Sequence, residues 1–329
     1  MLRMKVGVIG TGKMGENHLK NYLEISDRCE VVGIYDVNEH RASEIASKYG
    51  VKYFKDLNEF LRNVDAVSIA VPTKYHYEVA LVCINHGVHI LLEKPMASQL
   101  EEAKNLLIKA ETAGIKVQVG HIELYNPLIH LLKDRLKDEK IIAIDIHRMQ
   151  PFDLRMQHVD VVFDLMIHDI YILKELLSSE IIHFNTIGKT SEQMPKHAIV
   201  SMLFNNGTVA QLTASYKSQE KIRTIRIFTE KAIFKVDLLK NKIEVNQTTY
   251  FSIQNDNVKI PQMLLETIEI PHFNPLKSQL YDFIHSVDTD RTPFVTGEDG
   301  INVLKICSNI SDNIKLLSSN YNELASDEC

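Results

Sequence analysis

"MKVGVIGTGKMGENHLKNYLEI", Met4–Ile25, decides how the rest of the chain is read. Met4–Gly10 is a short β-type run broken by glycine, and a helical periodicity starts at Lys13. Between them, Gly10-Thr11-Gly12-Lys13-Met14-Gly15 has the G-x-G-x-x-G spacing in its required context, strand before and helix after. Gly10 permits a tight turn, Gly12 lets a pyrophosphate approach the backbone, and Gly15 lets the helix pack close to the sheet. Thr11, Lys13 and Met14 complete a loop whose N–H groups, with the helix N-terminus, favour phosphate.

The second apolar run, "EVVGIYD", ends at Asp36, about twenty residues further on, where a carboxylate can accept hydrogen bonds from a ribose. It would repel a 2′-phosphate, and Val37 and Asn38 follow it without an adjacent arginine. NAD is therefore favoured over NADP, although His40 and Arg41 keep the second open. A nucleotide-free domain, or one that binds FAD, is the competing reading.

Outward from this stretch, strands and helices alternate. "NEHRASEIASKYG" reads as a helix capped by Asn38 and stopped by Gly50. "DAVSIAVP", "VHILLEKP" and "IKVQVG" are further apolar runs, with helical stretches between them. Continuous apolar strands alternating with helices predict a doubly wound parallel sheet. It fills residues 1–120, an NAD-binding domain. After Gly120 the rhythm changes to a mostly antiparallel open sheet with helices. Residues 121–329 then form an α+β domain for substrate binding and oligomerisation, whose terminal helices fold back onto the first. Asn205-Asn206-Gly207-Thr208 predicts a hairpin between two of its strands. "DVVFDLMIHDIYILKELL" predicts one of its helices.

The bulk properties set limits. The 329 residues suffice for two domains. A formal charge of −6 argues against a nucleic-acid-binding surface. Cys29, Cys83, Cys307 and Cys329 form no C-x-x-C pair, which suits a reducing cytoplasm better than disulfides or zinc. No signal peptide, membrane-spanning run or repeat is legible.

"LLEKPMAS", Leu91–Ser98, ends the fifth strand with Glu93 and Lys94 before Pro95. Ligands bind beyond the carboxyl ends of such strands, which places both charges at the cofactor crevice. A cis Lys–Pro bond is accessible there, because proline cuts the trans preference to about 0.5–1 kcal/mol. An ordinary strand end with two solvated charges is the bland alternative. On "HVDVVFDLMIHDI", Asp164 and His168 are four apart and share one helix face among apolar neighbours. A carboxylate beside an imidazole raises its affinity for a proton and suits general-base work. A buried structural pair is the alternative. A metal site of His158, Asp160, Asp164 and His168 is weighed and set aside, since hydride transfer to NAD needs no metal.

The glycine loop, the acidic second-strand end, "VPTKYH" and E-K-P together resemble the Gfo/Idh/MocA oxidoreductases over essentially the whole chain. The resemblance implies that Lys94 contacts substrate and nicotinamide, and that Glu93, Pro72, Thr73 and His76 lie along the cofactor. It also implies a D-x-x-x-H pair, matched at Asp164 and His168, that acts with Lys94 on an alcohol. Subunits would join as a homodimer or homotetramer through the open sheet. "GHIELYNP", "RMQPFDLR" and "VVFDLMIHDI" look most like the UDP-N-acetylglucosamine 3-dehydrogenases, whose product feeds an aminotransferase in lipopolysaccharide biosynthesis.

A nucleotide-sugar substrate would then meet His121, Tyr125, Asn126, Arg148 and Arg155, with Lys217 and Arg223 as further cations. Three departures from those enzymes' pattern bear on the sugar contacts: Leu124, the His158–Asp160 segment, and Tyr171. A dehydrogenase of a free polyol such as inositol, and an NAD-binding sensor without turnover, are the competing functions.

Overall fold

The computed structural model describes residues 3–252 and 259–327. The chain divides into two compact units: Met1–Tyr125 with Asn274–Lys305, and Asn126–Phe273 with Ile306–Cys329.

The first unit runs β1 (Met4–Ile9), α1 (Lys13–Glu24), β2 (Cys29–Tyr35), α2 (Glu39–Tyr49), β3 (Tyr53–Phe54), α3 (Leu57–Leu61), β4 (Ala66–Ile69), α4 (His76–Asn85), β5 (His89–Leu92), α5 (Leu100–Thr112) and β6 (Val117–Val119). Its sheet has the order β3-β2-β1-β4-β5-β6, and every pairing is parallel. Both faces are covered, so "AVSI" of β4 is buried at every position. The strand order reverses between β1 and β4, which opens the ligand crevice beside the glycine loop. The Asn38 side chain accepts from Arg41 N and starts α2; Gly50, at φ 68°, ends it. The strand β3 and helix α3 are two and five residues long, too short for a sequence periodicity to announce.

The second unit continues with α6 (Pro127–Leu136), β7 (Ile141–Met149), a π-helical turn (Val162–Met166), α7 (Ile167–Leu177), β8 (Ile181–Ser191), β9 (Met194–Phe204), β10 (Val209–Ser215), β11 (Ile222–Thr229), β12 (Ala232–Asp237), β13 (Lys242–Ser252) and β14 (Lys259–Glu269). Its eight strands are ordered β14-β13-β12-β11-β7-β10-β9-β8. Only the β7–β10 pairing among them is parallel. The β9–β10 hairpin turns on Asn205-Asn206-Gly207-Thr208, with Gly207 at φ 83°. The inner face buries Ile144, Ile146, Val200, Leu212, Ile225, Ile227 and Phe234. The sequence predicts a plain α-helix from Asp160; the structure widens its first turn into a π-turn before α7 begins. Such turns concentrate at functional sites.

The chain then re-enters the first unit as α8 (Pro275–Asp288) and the start of α9 (Gly297–Asp327), which continues past Lys305 into the second. Leu276, Leu280, Phe283 and Ile284 of α8 join Val6, Val8, Leu19, Tyr22 and Ile34 in one buried cluster. Burying each such side chain contributes about 1.5–3 kcal/mol, so α8 is an integral part of this core.

Candidate active site

The glycine loop has the shape a dinucleotide needs. Gly10 sits at φ 91°, and a Cβ there would lie 2.7 Å from Ala70 O. A Cβ at Gly15 would lie 1.8 Å from Gly10 O, so α1 approaches the turn more closely than any side chain allows. Gly12 is the opposite case: nothing lies within 4 Å of its Cβ position, and it is the N-cap of α1. An open, side-chain-free step at a helix N-terminus fits a pyrophosphate. Lys13 begins the helix on the exposed side, with Met14 half-buried behind it.

Asp36 closes the loop from β2. Its Oδ2 accepts from Thr11 N at 2.6 Å and Thr11 Oγ1 at 2.8 Å, and its Oδ1 from Asn38 N at 2.8 Å. Arg41, the cation that left NADP open, is held by carboxylates: Nη2 lies 3.0 Å from Glu16 and Nη1 3.0 Å from Glu44. Glu16 also accepts from Lys48 and Tyr49, and the Lys48 hydrogen bond holds its pKa below the usual carboxylate range. This local charge pattern suits a ribose with free hydroxyls.

At the end of β5 the two charges of E-K-P part company. Lys94 is half-buried and its bond to Pro95 is cis. Glu93, expected along the cofactor, turns inward and is 7% exposed. Its Oε1 lies 2.8 Å from Nε2 of His18, a fully buried residue of α1. His18 Nδ1 lies 2.9 Å from Ser68 Oγ, which lies 2.9 Å from Tyr22 OH. One proton arrangement satisfies all four groups: Tyr22 donates to Ser68, Ser68 to His18, and His18 to the Glu93 carboxylate. His76 is also buried; Nδ1 lies 2.9 Å from Pro95 O and Nε2 2.9 Å from Val71 O. Burial pushes its pKa down. Pro72 is exposed and Thr73 half-buried just before it.

The second unit holds Asp164 and His168. Of residues 161–170, only Phe163, Asp164 and His168 are partly exposed; the others are buried. Asp164 Oδ2 accepts from Tyr216 OH at 2.9 Å. Tyr216 is fully buried at the end of β10, and burial with the adjacent Asp164 pushes its pKa up. Lys196 donates to the carbonyls of Met156, Gln157 and Val159 at 2.8, 2.6 and 2.9 Å, pinning the chain before the π-turn.

Other predicted residues are used differently. Arg148, expected to meet a pyrophosphate, is 3% exposed, and its Nε lies 2.6 Å from Asp169 Oδ1. Tyr125 is buried in the first unit, donating to Asp282 and accepting from Gln118. Asn126 is the N-cap of α6, accepting from Leu128 N at 3.0 Å. His121 is buried, at 2% exposure. Arg223 donates to the carbonyls of Met149 and Ile222, and Lys217 lies over the Phe152 ring. Arg155 falls in the turn Leu154–Met156, and its side chain lies outside the described ones. His158 faces Glu192, and Asp160 accepts from Ser311. Among the described residues no group of three His, Cys, Asp or Glu side chains is placed to hold a metal ion.

His18 and Tyr216 are the partners the sequence reading missed. A signal existed for the first: a carboxylate closing an apolar strand needs a buried partner, and His18 lies one turn beyond Gly15.

Comparison with known proteins adds four findings. Residues 4–121 match the model of the GFO_IDH_MocA oxidoreductase family, NAD-binding Rossmann fold. UDP-N-acetylglucosamine 3-dehydrogenase of Acidithiobacillus ferrooxidans is 32% identical over 305 residues, 92% of this chain and 95% of that protein. The crystal structure of that enzyme, GnnA, superposes with a TM-score of 0.88 at 30% identity over 96% of this chain and 99% of that one. Myo-inositol 2-dehydrogenase of Thermotoga maritima is 25% identical over 315 residues, covering 90% of this chain and 92% of that one.

Proposed function

We propose that this chain, which belongs to the Gfo/Idh/MocA oxidoreductase family, oxidises C3 of UDP-N-acetylglucosamine with NAD to give the 3-keto sugar for a later amination. The observation that carries the choice of sugar is the degree of identity over the whole chain. The likeness covers both units, at 32% identity over 92% of the chain, whereas the inositol dehydrogenase reaches 25% over a similar span. A dinucleotide fold alone would match only the first.

Bound in the crevice, NAD supplies the hydride acceptor; the chain supplies position, charge and proton transfer. Gly12 and the α1 N-terminus hold the pyrophosphate, and Asp36 the adenosine ribose. Lys94 donates to the reacting oxygen and stabilises the negative charge that develops on it, a role worth roughly 3–4 kcal/mol for a well-placed donor. His168 takes the hydroxyl proton. Asp164, itself fixed by Tyr216, holds the imidazole in its accepting tautomer. Arg148 is left out of the substrate contacts, because its charge is committed to Asp169.

The same reading places the enzyme in the cytoplasm, supplying a lipopolysaccharide precursor, as a homodimer or homotetramer joined through the open sheet. Exposed Ile187, Leu203, Val209 and Ile233 on the strands of that sheet support the last point. No helix of the described residues is long and apolar enough to cross a membrane.

The test is NADH formation with UDP-N-acetylglucosamine, coupled to an aminotransferase and an amino donor to draw off the ketone. Lys94→Ala and His168→Ala should each lose at least a hundredfold in kcat while still binding NAD+. Turnover of inositol alone would replace the sugar assignment, and NAD+ binding without turnover of any sugar would replace the enzyme by a sensor.

A further inference from the structure

Lys94 is bracketed by two buried histidines. The residue before it, Glu93, is held through its side chain by His18 of α1, Nε2 to Oε1 at 2.8 Å. The residue after it, Pro95, presents its carbonyl to His76 Nδ1, the first residue of α4, at 2.9 Å. The two rings are 0% and 1% exposed. His18 is also anchored to Ser68 in β4, while His76 Nε2 faces Val71 O just past the end of β4; a neutral imidazole has one N–H, so His76 donates to one of its two carbonyls at a time. The backbone of Glu93 is tied to the same strand, N to Ile69 O at 3.1 Å. We infer that His18 and His76 are positioning residues that fix the backbone of the E-K-P turn and thereby aim Lys94. This deepens the proposed function and rests on its assignment of Lys94.

The chemistry of Glu93 argues against a merely structural pair. Taking a carboxylate out of water costs several kcal/mol, and an apolar residue would fill the same space at no such cost. The pocket is shaped to the glutamate as it stands: a Cβ on Gly120 would meet Glu93 Cα, Cδ and Oε1 at 3.0 Å. Lys94 N lies 3.3 Å from the other carboxylate oxygen, so the buried group also touches the backbone of the lysine. A solvated glutamate at a strand end would leave residues 93–95 free to shift. The rate of a reaction that needs a donor within hydrogen-bond reach falls about a hundredfold for a displacement near 1 Å.

A double-variant cycle separates aiming from folding. His18→Leu, His76→Leu and Lys94→Ala are made singly, and each histidine variant is combined with Lys94→Ala. His18→Gln and Glu93→Gln keep a hydrogen bond at the site should the leucine variant not fold. The expected result is a 10- to 100-fold loss of kcat in each leucine variant, with NAD+ affinity by calorimetry within threefold of the parent. His18→Gln should recover at least part of the loss. In the Lys94→Ala background the histidine changes should cost no further rate, because they act through the lysine. Additive losses, or unchanged kcat in foldable histidine variants while Lys94→Ala is inactive, would overturn the inference. If Lys94→Ala itself keeps a normal rate, the functional assignment of Lys94 fails first, and the two failures are told apart.

Discussion

Asp36→Asn should remove most of the discrimination between NAD+ and NADP+. The carboxylate is fixed by three donors, Thr11 N, Thr11 Oγ1 and Asn38 N, at 2.6, 2.8 and 2.8 Å. A ribose 2′-phosphate would bring a charge of about −1.5 to −2 next to it. Two unit charges at 4 Å interact by about 4 kcal/mol at an effective dielectric of 20. The site is partly open and salt screens it, which leaves about 2–3 kcal/mol, or roughly 30- to 150-fold. The neighbourhood does not offset this. Glu16, Glu44 and Asp36 carry three negative charges against two positive ones on Arg41 and Lys48, and Arg41 is already bound to both glutamates.

Asparagine keeps the shape and one acceptor oxygen, so the loop persists. The NAD+/NADP+ affinity ratio should fall below about tenfold, and adding Glu16→Gln, which loosens Arg41, should narrow it further. Calorimetric titration of both cofactors measures the ratio directly; the chain has no tryptophan to report binding by quenching. A ratio unchanged in Asp36→Asn, or a parent enzyme that binds NADP+ as well as NAD+, would refute the electrostatic account.

Gly15→Ala should destabilise the fold by about 3 kcal/mol or more in urea unfolding, since its Cβ would overlap Gly10 O at 1.8 Å. Gly12→Ala meets nothing; its stability should stay within about 0.5 kcal/mol of the parent while NAD+ affinity by calorimetry falls at least tenfold. Arg148→Met should cost about 3–5 kcal/mol by stranding buried Asp169, and Asp169→Leu in the same chain should restore most of it. Asp160 gives a pH dependence: burial raises its folded pKa above its ordinary 3.8. A raised folded value means its contribution is fully present below the unfolded pKa and lost as pH rises through the folded one. Asp160→Asn should therefore gain on the parent as pH rises above the unfolded value, and a thermal-unfolding gap independent of pH would contradict this.

The parts legible in the sequence are those whose physics is local. A glycine loop is read from six consecutive residues, because each glycine answers a constraint set by its immediate neighbours. The hairpin at Asn205–Thr208 and the capped helix α2 are of the same kind. What escaped reading depends on partners far along the chain. Glu93 and His18 are 75 residues apart, Arg148 and Asp169 21, Tyr216 and Asp164 52. A single sequence shows that each is polar, not which polar group satisfies it. The π-turn escaped for another reason. Val161, Val162, Leu165, Met166 and Ile167 are all buried, so the apolar pattern surrounds the helix and carries no phase that one inserted residue could disturb.

Burial then sorts the charged and polar candidates that sequence alone treats alike. Glu93, Arg148, Tyr125 and Asn126 all sit near motifs, and all four are committed inward to His18, Asp169, Asp282 and the α6 backbone. Lys94, Asp164 and His168 are half-buried instead, each next to residues that are fully packed. A group that must exchange a proton or a hydrogen bond with a substrate has to be reachable, yet its backbone has to be held. The three residues assigned to the chemistry combine those two properties. The immobile part of the requirement is met by their neighbours: Glu93 and Pro95 around the lysine, Asp169 beside the imidazole, and Tyr216 on Asp164. On the proposed reading, a polar residue buried beside one of these three serves as its support, and its removal should slow the reaction without touching a reacting atom.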